Sequence, residues 1–239
     1  MKGLIITLDL DWAPEPAIEE TLDFFQKRKI NPTVFITHRS SRVEACLSEL
    51  EVGLHPYFDS ESSHGSTINQ VVDYVMALPH NCPVFRCHRF KTCNQSKQAM
   101  AEAGMRISSN VCSDLEVISP FRDRFGFLEV PIFMEDGGYL WHKHSLEVDD
   151  SLRKRLLQEG VKVLVIHPMH FALNTPVFDY MVKIKKITSR EDWNTMTKQK
   201  LNALKWKGRG IRDLILDMVE EVEHLPFLNM RSFLVSLQQ

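Results

Sequence analysis

The 239-residue chain lacks any apolar run approaching the roughly 18 residues that a bilayer-spanning helix needs. Its one early apolar stretch, residues 3–8, is cut short by Asp9 and Asp11 and has no small-residue cleavage site behind it, so no secretory leader is expected. The expectation is a cytoplasmic protein without membrane insertion. Cysteine is sparse: five residues, an odd number, exclude a disulfide scaffold and fit a reduced compartment. Net charge is nearly absent as well. With 29 Lys and Arg against 31 Asp and Glu the formal charge is −2, so no net-positive field recruits nucleic acid. Repeats, low-complexity tracts and linkers rich in Pro, Gly or Ser are also missing. What remains, 44% hydrophobic and 25% charged, is the composition of a globular domain, and residues 1–239 read as one.

Short β-like runs alternate with helical segments, the pattern of a parallel α/β sheet or barrel. Strands are predicted at 3–10, 32–37, 51–55, 84–89 and 161–167, with further extended segments at 107–109 and 127–130. Helices are predicted at 16–29, 43–50, 66–78, 97–104, 151–159 and 211–224, while 184–207 carry no readable motif.

In such folds chemistry collects where strands end. Four ends carry unusual polar residues. In Thr7-Leu8-Asp9-Leu10-Asp11 two carboxylates two apart share a strand face; either a cation or shared proton relieves their repulsion, or both cap the next helix. His55 ends another strand and His64 follows in the next loop; with a carboxylate they would make a zinc set open to water, or each is simply solvated. Arg86 and His88 share a face, with Cys87 turned into packing. His167 closes the most apolar run, as a core histidine or a general acid or base. His80, Cys82, Cys87, His88 and Cys93 offer a rival structural zinc site, but their spacings are not those of short knuckles, and buried thiols are the expected alternative. His142 and His144, two apart, are a further pair to test for metal.

These residues together resemble the polysaccharide deacetylases, carbohydrate esterase family 4 with its nodulation-deacetylase homology domain. The likeness is strongest to the WbmS-like branch of O-antigen clusters, and it runs from Thr7 to about Pro176. The resemblance implies a distorted (β/α)7 barrel and a zinc-dependent (or other divalent-metal) hydrolase that removes an N-acetyl or O-acetyl group from a sugar. By that likeness Asp9 is the catalytic base, Asp11 a metal ligand, Arg86 the residue orienting Asp9, and His167 the general acid. His55 matches the first histidine ligand. Four positions on, where the wider family has its second, stands Asp59; the branch's Ser-Ser-His-Gly stretch makes His64 the expected third ligand, with Asp59 as fallback. His88 replaces a proline of the family pattern, and His170 and Asn174 resemble the branch alone.

Substrate contacts are expected from Trp12, His88, Glu135, Asp136, Trp141, His170 and Asn174, the tryptophans by stacking on a sugar face. The basic, glycine-rich segment 205–212 leads into a helix N-terminus, so Arg209 and Arg212 are expected to meet an anionic part of the substrate such as a nucleotide-sugar diphosphate, unless the loop is merely solvated. The same site could serve a deformylase or another linear amidase, and a barrel that had lost base or ligand would be a carbohydrate-binding relative.

Overall fold

The computed structural model describes residues 2–237. In chain order they form β1 (Lys2–Asp9), α1 (Glu15–Gln26), β2 (Thr33–Ile36), α2 (Ser41–Ala45), β3 (Glu51–Leu54), α3 (Ile68–Met76), β4 (Val84–Phe85), α4 (Asn94–Glu102), β5 (Ile107–Ser108), β6 (Phe121–Arg122), β7 (Leu128–Glu129) and β8 (Met134–Glu135). There follow α5 (Asp136–Trp141), α6 (Asp150–Leu156), β9 (Gly160–Ile166), α7 (Pro168–Leu173), α8 (Phe178–Ile187), α9 (Arg190–Asn194), α10 (Lys198–Ala203), α11 (Ile211–Glu221), β10 (Phe227–Leu228) and α12 (Met230–Ser236). The predicted strands are all present, several shorter than expected. α2 sits earlier and ends sooner than periodicity suggests, and the stretch 184–207, which carries no readable motif, holds the end of α8 together with the short helices α9 and α10. Among the described residues no helix is long and apolar enough to cross a membrane.

The strands form a sheet in the order β6-β7-β5-β4-β3-β2-β1-β9-β8, with β10 beside the lower half of β1. β7, next to the edge strand β6, and β8, at the opposite edge, lie on one run, 128–135. Its first half bonds toward β5, through Val130 N–H to Ser108 O and Ile132 N–H to Val111 O, both 2.8 Å. Its second half bonds to β9, through Phe133 N–H to Val163 O at 3.0 Å and the Met134–Leu164 register. This run curls the sheet round into the distorted (β/α)7 barrel.

Residues two apart on a strand share a face, so each stave has an inner and an outer side. Leu4, Ile6 and Leu8 of β1 pack outward with the helices, while Ile5 joins Phe35, Val84, Ile107, Val163 and Val165 in a second, inner cluster. The same alternation continues Ile5 into Thr7 and Asp9, Val84 into Arg86 and Val165 into His167, so polar groups crown an apolar interior. Met230 and Phe233 of α12 pack onto that interior from below. The buried Glu51 carboxylate anchors them: it accepts from Thr33 Oγ1 (2.5 Å) and from the first amides of α12, Met230 (2.9 Å) and Arg231 (2.8 Å).

All five cysteines are free, and Cys82 and Cys87 are buried; burial pushes the Cys82 thiol up to about 12. Among the described residues no cysteine joins a metal-ligating group, nor do His142 and His144, whose rings lie 5.8 Å apart while His144 bonds Asp114.

The interior is narrow enough to specify a glycine. A Cβ on Gly53 would lie 2.5 Å from Val84 Cγ1 and 2.6 Å from Val84 O, one of them backbone that cannot swing aside. Gly53→Ala should therefore cost roughly 1–3 kcal/mol, read as a lowered urea midpoint with an unchanged slope.

Candidate active site

The polar crown is built around one buried ion pair. Arg86, 0% exposed, places Nη1 2.7 Å from Oδ1 of Asp9, which is 1% exposed. Every edge of the guanidinium is used: Nη1 also donates to Thr7 Oγ1 (2.8 Å), Nε to Ser109 O (3.0 Å), Nη2 to Ser109 Oγ (2.8 Å), and its face lies over Phe35. Buried charges persist only when paired and hydrogen-bonded in this way. Ser109 is in turn fixed by Glu129, a fully buried carboxylate that accepts from Ser108 Oγ and from the amides of Asn110 (2.6 Å) and Val111 (2.9 Å). The sequence reading missed Glu129, since a lone acid inside a two-residue strand carries no signal.

Asp11 reaches the same place by a different route from the one its spacing suggests. β1 ends at Asp9, and Asp11 and Trp12 turn out of it in the left-handed region (φ 45° and 54°). Asp11 Oδ1 then lies 3.0 Å from His55 Nε2 and 3.0 Å from His88 Nδ1, and its Oδ2 3.5 Å from His167 Nε2. Burial disfavours the Asp11 carboxylate, yet the nearby His167 charge and the hydrogen bonds of His55 and His88 hold its pKa well below the usual range. His88 sits in a 3-10 turn after β4, followed by left-handed Arg89 and Phe90.

The ligand atoms of Asp11, His55 and His88 all lie within 4.8 Å of one another. One carboxylate oxygen and two imidazoles make a donor set suited to zinc. His64 and Asp59 are not among them. His64 is buried, stacks on Tyr74 at 4.5 Å, and takes the Tyr57 amide on Nδ1. Burial pushes it down to about 4, so it is a neutral ring packed behind Trp12. Asp59 pairs with Lys91 at 3.0 Å.

His167 is held from behind. Asp136, wholly buried at the start of α5, accepts from the His167 backbone amide (2.8 Å) and lies 2.5 Å from its Nδ1. Burial alone would depress this histidine, but the charges of Asp136 and Asp11 outweigh it and raise its pKa well above the ordinary value. Glu135 accepts from the amides of Gly137 and Gly138 and sits 3.3 Å from His167 Nδ1. Burial pushes its carboxyl up, which His167 only partly offsets. Glu135, Asp136 and His167 also form a compact group, but with these hydrogen bonds already made.

A cavity of about 420 Å³ opens above these groups and is lined by Asp9, Asp11, His55, His88, Glu135 and His167, with Trp141 and His170 on its walls. Trp141 is 64% exposed and meets Phe178 edge-on. α8 and α9 supply the remaining wall through Phe178, Met181, Lys185 and Trp193. Trp12 lines an adjoining space. Asp136 stands behind the site and does not line it. Asn174 and Arg209 lie outside it: Asn174 bonds Gly208 O, Asp213 and the Arg212 amide, and Arg209 pairs with Glu147 and Asp217.

Residues 6–185 match the WbmS-like polysaccharide deacetylases. The chain belongs to that family. Among solved structures, this WbmS-like deacetylase family member is similar in fold to a proposed polysaccharide deacetylase of O-antigen biosynthesis from Bordetella bronchiseptica, with a TM-score of 0.78, 21% identity, and coverage of 91% of this chain and 89% of that one. It is also similar to a proposed polysaccharide deacetylase from Mycobacterium smegmatis, with a TM-score of 0.50, 12% identity, and coverage of 94% and 92%. Comparison with curated proteins gives no match.

Removing Arg86 would strand Asp9 as an unpaired buried charge. Arg86→Ala should lower stability by about 3–5 kcal/mol in chemical denaturation. The isosteric loss of both charges, Arg86→Met with Asp9→Asn, should recover much of that loss; equal destabilisation in single and double variants would mean the pair is not the source.

Proposed function

We propose that the protein is a metal-dependent hydrolase that removes an N-acetyl group from a sugar of a polysaccharide or its precursor. The supporting observation is the meeting of three distinct groups on one cavity: the Asp9–Arg86 pair, the Asp11–His55–His88 donor set and the His167–Asp136 pair. Zinc or another divalent cation, held by Asp11, His55 and His88, would supply Lewis acidity toward the acyl oxygen and acidify water. In this reading His88 takes the place expected of His64.

The chain's own residues account for the proton transfers. Asp9, with Oδ1 committed to Arg86, has Oδ2 turned toward His55 at 3.9 Å, on the cavity side, where it can accept a proton from attacking water. Arg86 fixes the rotamer of that carboxylate and balances its charge in a low-dielectric interior. An amine is a poor leaving group unless protonated. His167, kept cationic by Asp136, presents Nε2 to the cavity and would donate that proton while Nδ1 stays bonded to Asp136. Glu135, its carboxylate pinned by two helix amides, shapes the wall beside it. Trp141 offers an exposed ring against which a sugar face can stack.

Metal analysis by mass spectrometry, on protein purified without chelator or histidine tag, tests the ligand assignment. His88→Ala and Asp11→Ala should lose the bound metal, whereas His64→Ala should retain it. Retention in His88→Ala with loss in His64→Ala would return the third ligand to His64. Asp9→Asn should keep the metal and lose turnover of acetylated aminosugars by about 10²-fold or more. Asp136→Asn should likewise spare metal content while reducing release of the amine product.

A further inference from the structure

The cations of the molecule are unevenly spent. Most arginines are tied down: Arg39, Arg42, Arg86, Arg153, Arg155, Arg209 and Arg212 by carboxylates, Arg28 and Arg124 by aromatic faces, and Arg106, Arg122 and Arg231 by backbone carbonyls. The segment expected to meet an anion is among the spent ones, since Lys205 and Arg212 both pair with Glu20. Among the described residues only Arg89 and Arg190 extend a guanidinium with no hydrogen bond, ion pair or ring contact, one at the candidate cavity and one at the space beside it. Arg89 lines the cavity itself. Arg190 lines an adjoining space of about 360 Å³ that shares Asp11, His88, Lys185 and Trp193 with it. Lys185 lines both spaces and is likewise unpaired.

No acid at either space is free to neutralise these three. The acids lining them are Asp9, Asp11 and Glu135, and each is engaged, by Arg86, by the two imidazoles and by the α5 amides respectively. Two planar guanidiniums and one ammonium, exposed and lining two adjoining spaces that share Asp11 and His88, suit the oxygens of a carboxylate or phosphate far better than a neutral hydroxyl. We propose that Arg89, Lys185 and Arg190 form an oxyanion-recognition rim, which makes the preferred substrate an acetamido sugar carrying a negatively charged group. That group is either a carboxylate on the ring or a phosphate ester at its end. The inference rests on the deacetylase reading of the same cavity and sets its substrate class.

Three probes separate the possibilities: N-acetylglucosaminuronic acid, N-acetylglucosamine 1-phosphate and neutral N-acetylglucosamine. Binding is followed by quenching of tryptophan fluorescence, since Trp193 and Trp12 line the adjoining space, and hydrolysis by release of free amine. At least one charged sugar should bind about tenfold or more tightly than the neutral one, and the preference should shrink as salt rises. The carboxylate and phosphate arms identify which oxyanion is read. Arg89→Asn, which keeps a residue tolerant of the left-handed backbone, and Arg190→Gln should each reduce the preference several-fold, and together abolish it. Lys154→Gln, an exposed cation far along the chain on α6, should leave it unchanged. If the neutral sugar is bound and deacetylated as well as the charged ones, or the arginine variants keep the preference, the rim proposal falls and the deacetylase reading stands. If none is hydrolysed and the protein holds no metal, both fall together.

Discussion

The buried pair between Arg86 and Asp9 is the constraint from which the rest of the site follows. A guanidinium with no exposed surface needs all its donors met, and the barrel supplies them from two staves: Thr7 and Asp9 on β1, and Ser109 just after β5. Glu129 then fixes the Ser109 segment from the next stave. The apolar layer below, with Phe35 under the guanidinium plane, keeps water out of the pair. A carboxylate whose partner is placed by so many bonds is held in one orientation, an arrangement preorganised in the sense that favours chemistry at a fixed point.

Much of this is legible in the sequence because period-two alternation is a strict rule. Ile5, Thr7 and Asp9 must face one way, as must Val84 with Arg86 and Val165 with His167, so the strand-end acids, arginine and histidine converge once parallel strands are laid side by side. Where the chain leaves its strands, that rule stops. Asp11 is itself the first of two left-handed residues and His88 opens a 3-10 turn, so His88 meets the Asp11 carboxylate while His64, in a stretch that resembles a ligand motif, packs instead between Tyr74 and Trp12. Asp136 was legible as a polar residue near the mouth, but its place behind His167 depends on a two-residue strand and a short helix that propensity cannot mark.

The wall formed by α8 and α9 is the least legible part, because each helix is short and exposes most of its length. Its contacts with the site are nonetheless specific. Trp193 donates its indole N–H to Trp12 O at 2.9 Å, tying the wall to the left-handed turn that delivers Asp11. The wall of the mouth and the turn that carries Asp11 are thereby joined by a direct hydrogen bond.

The central position of β1 also bears on how the chain assembles. β1 pairs with β2 along its upper half, with β10 along its lower half, and with β9 along nearly its whole length, from Lys2 opposite Gly160 to Leu8 opposite Ile166. Its neighbours on the far side thus come from more than 150 residues later in the chain. The bare edge of β1 must wait on the ribosome until β9 has emerged, and the floor cannot close until α12 follows. Long-range parallel pairing of this kind slows folding and leaves an unpaired edge exposed meanwhile. The strand that carries Asp9 is therefore synthesised well before the partner that completes its far edge, and its protection during translation falls to whatever binds nascent chains.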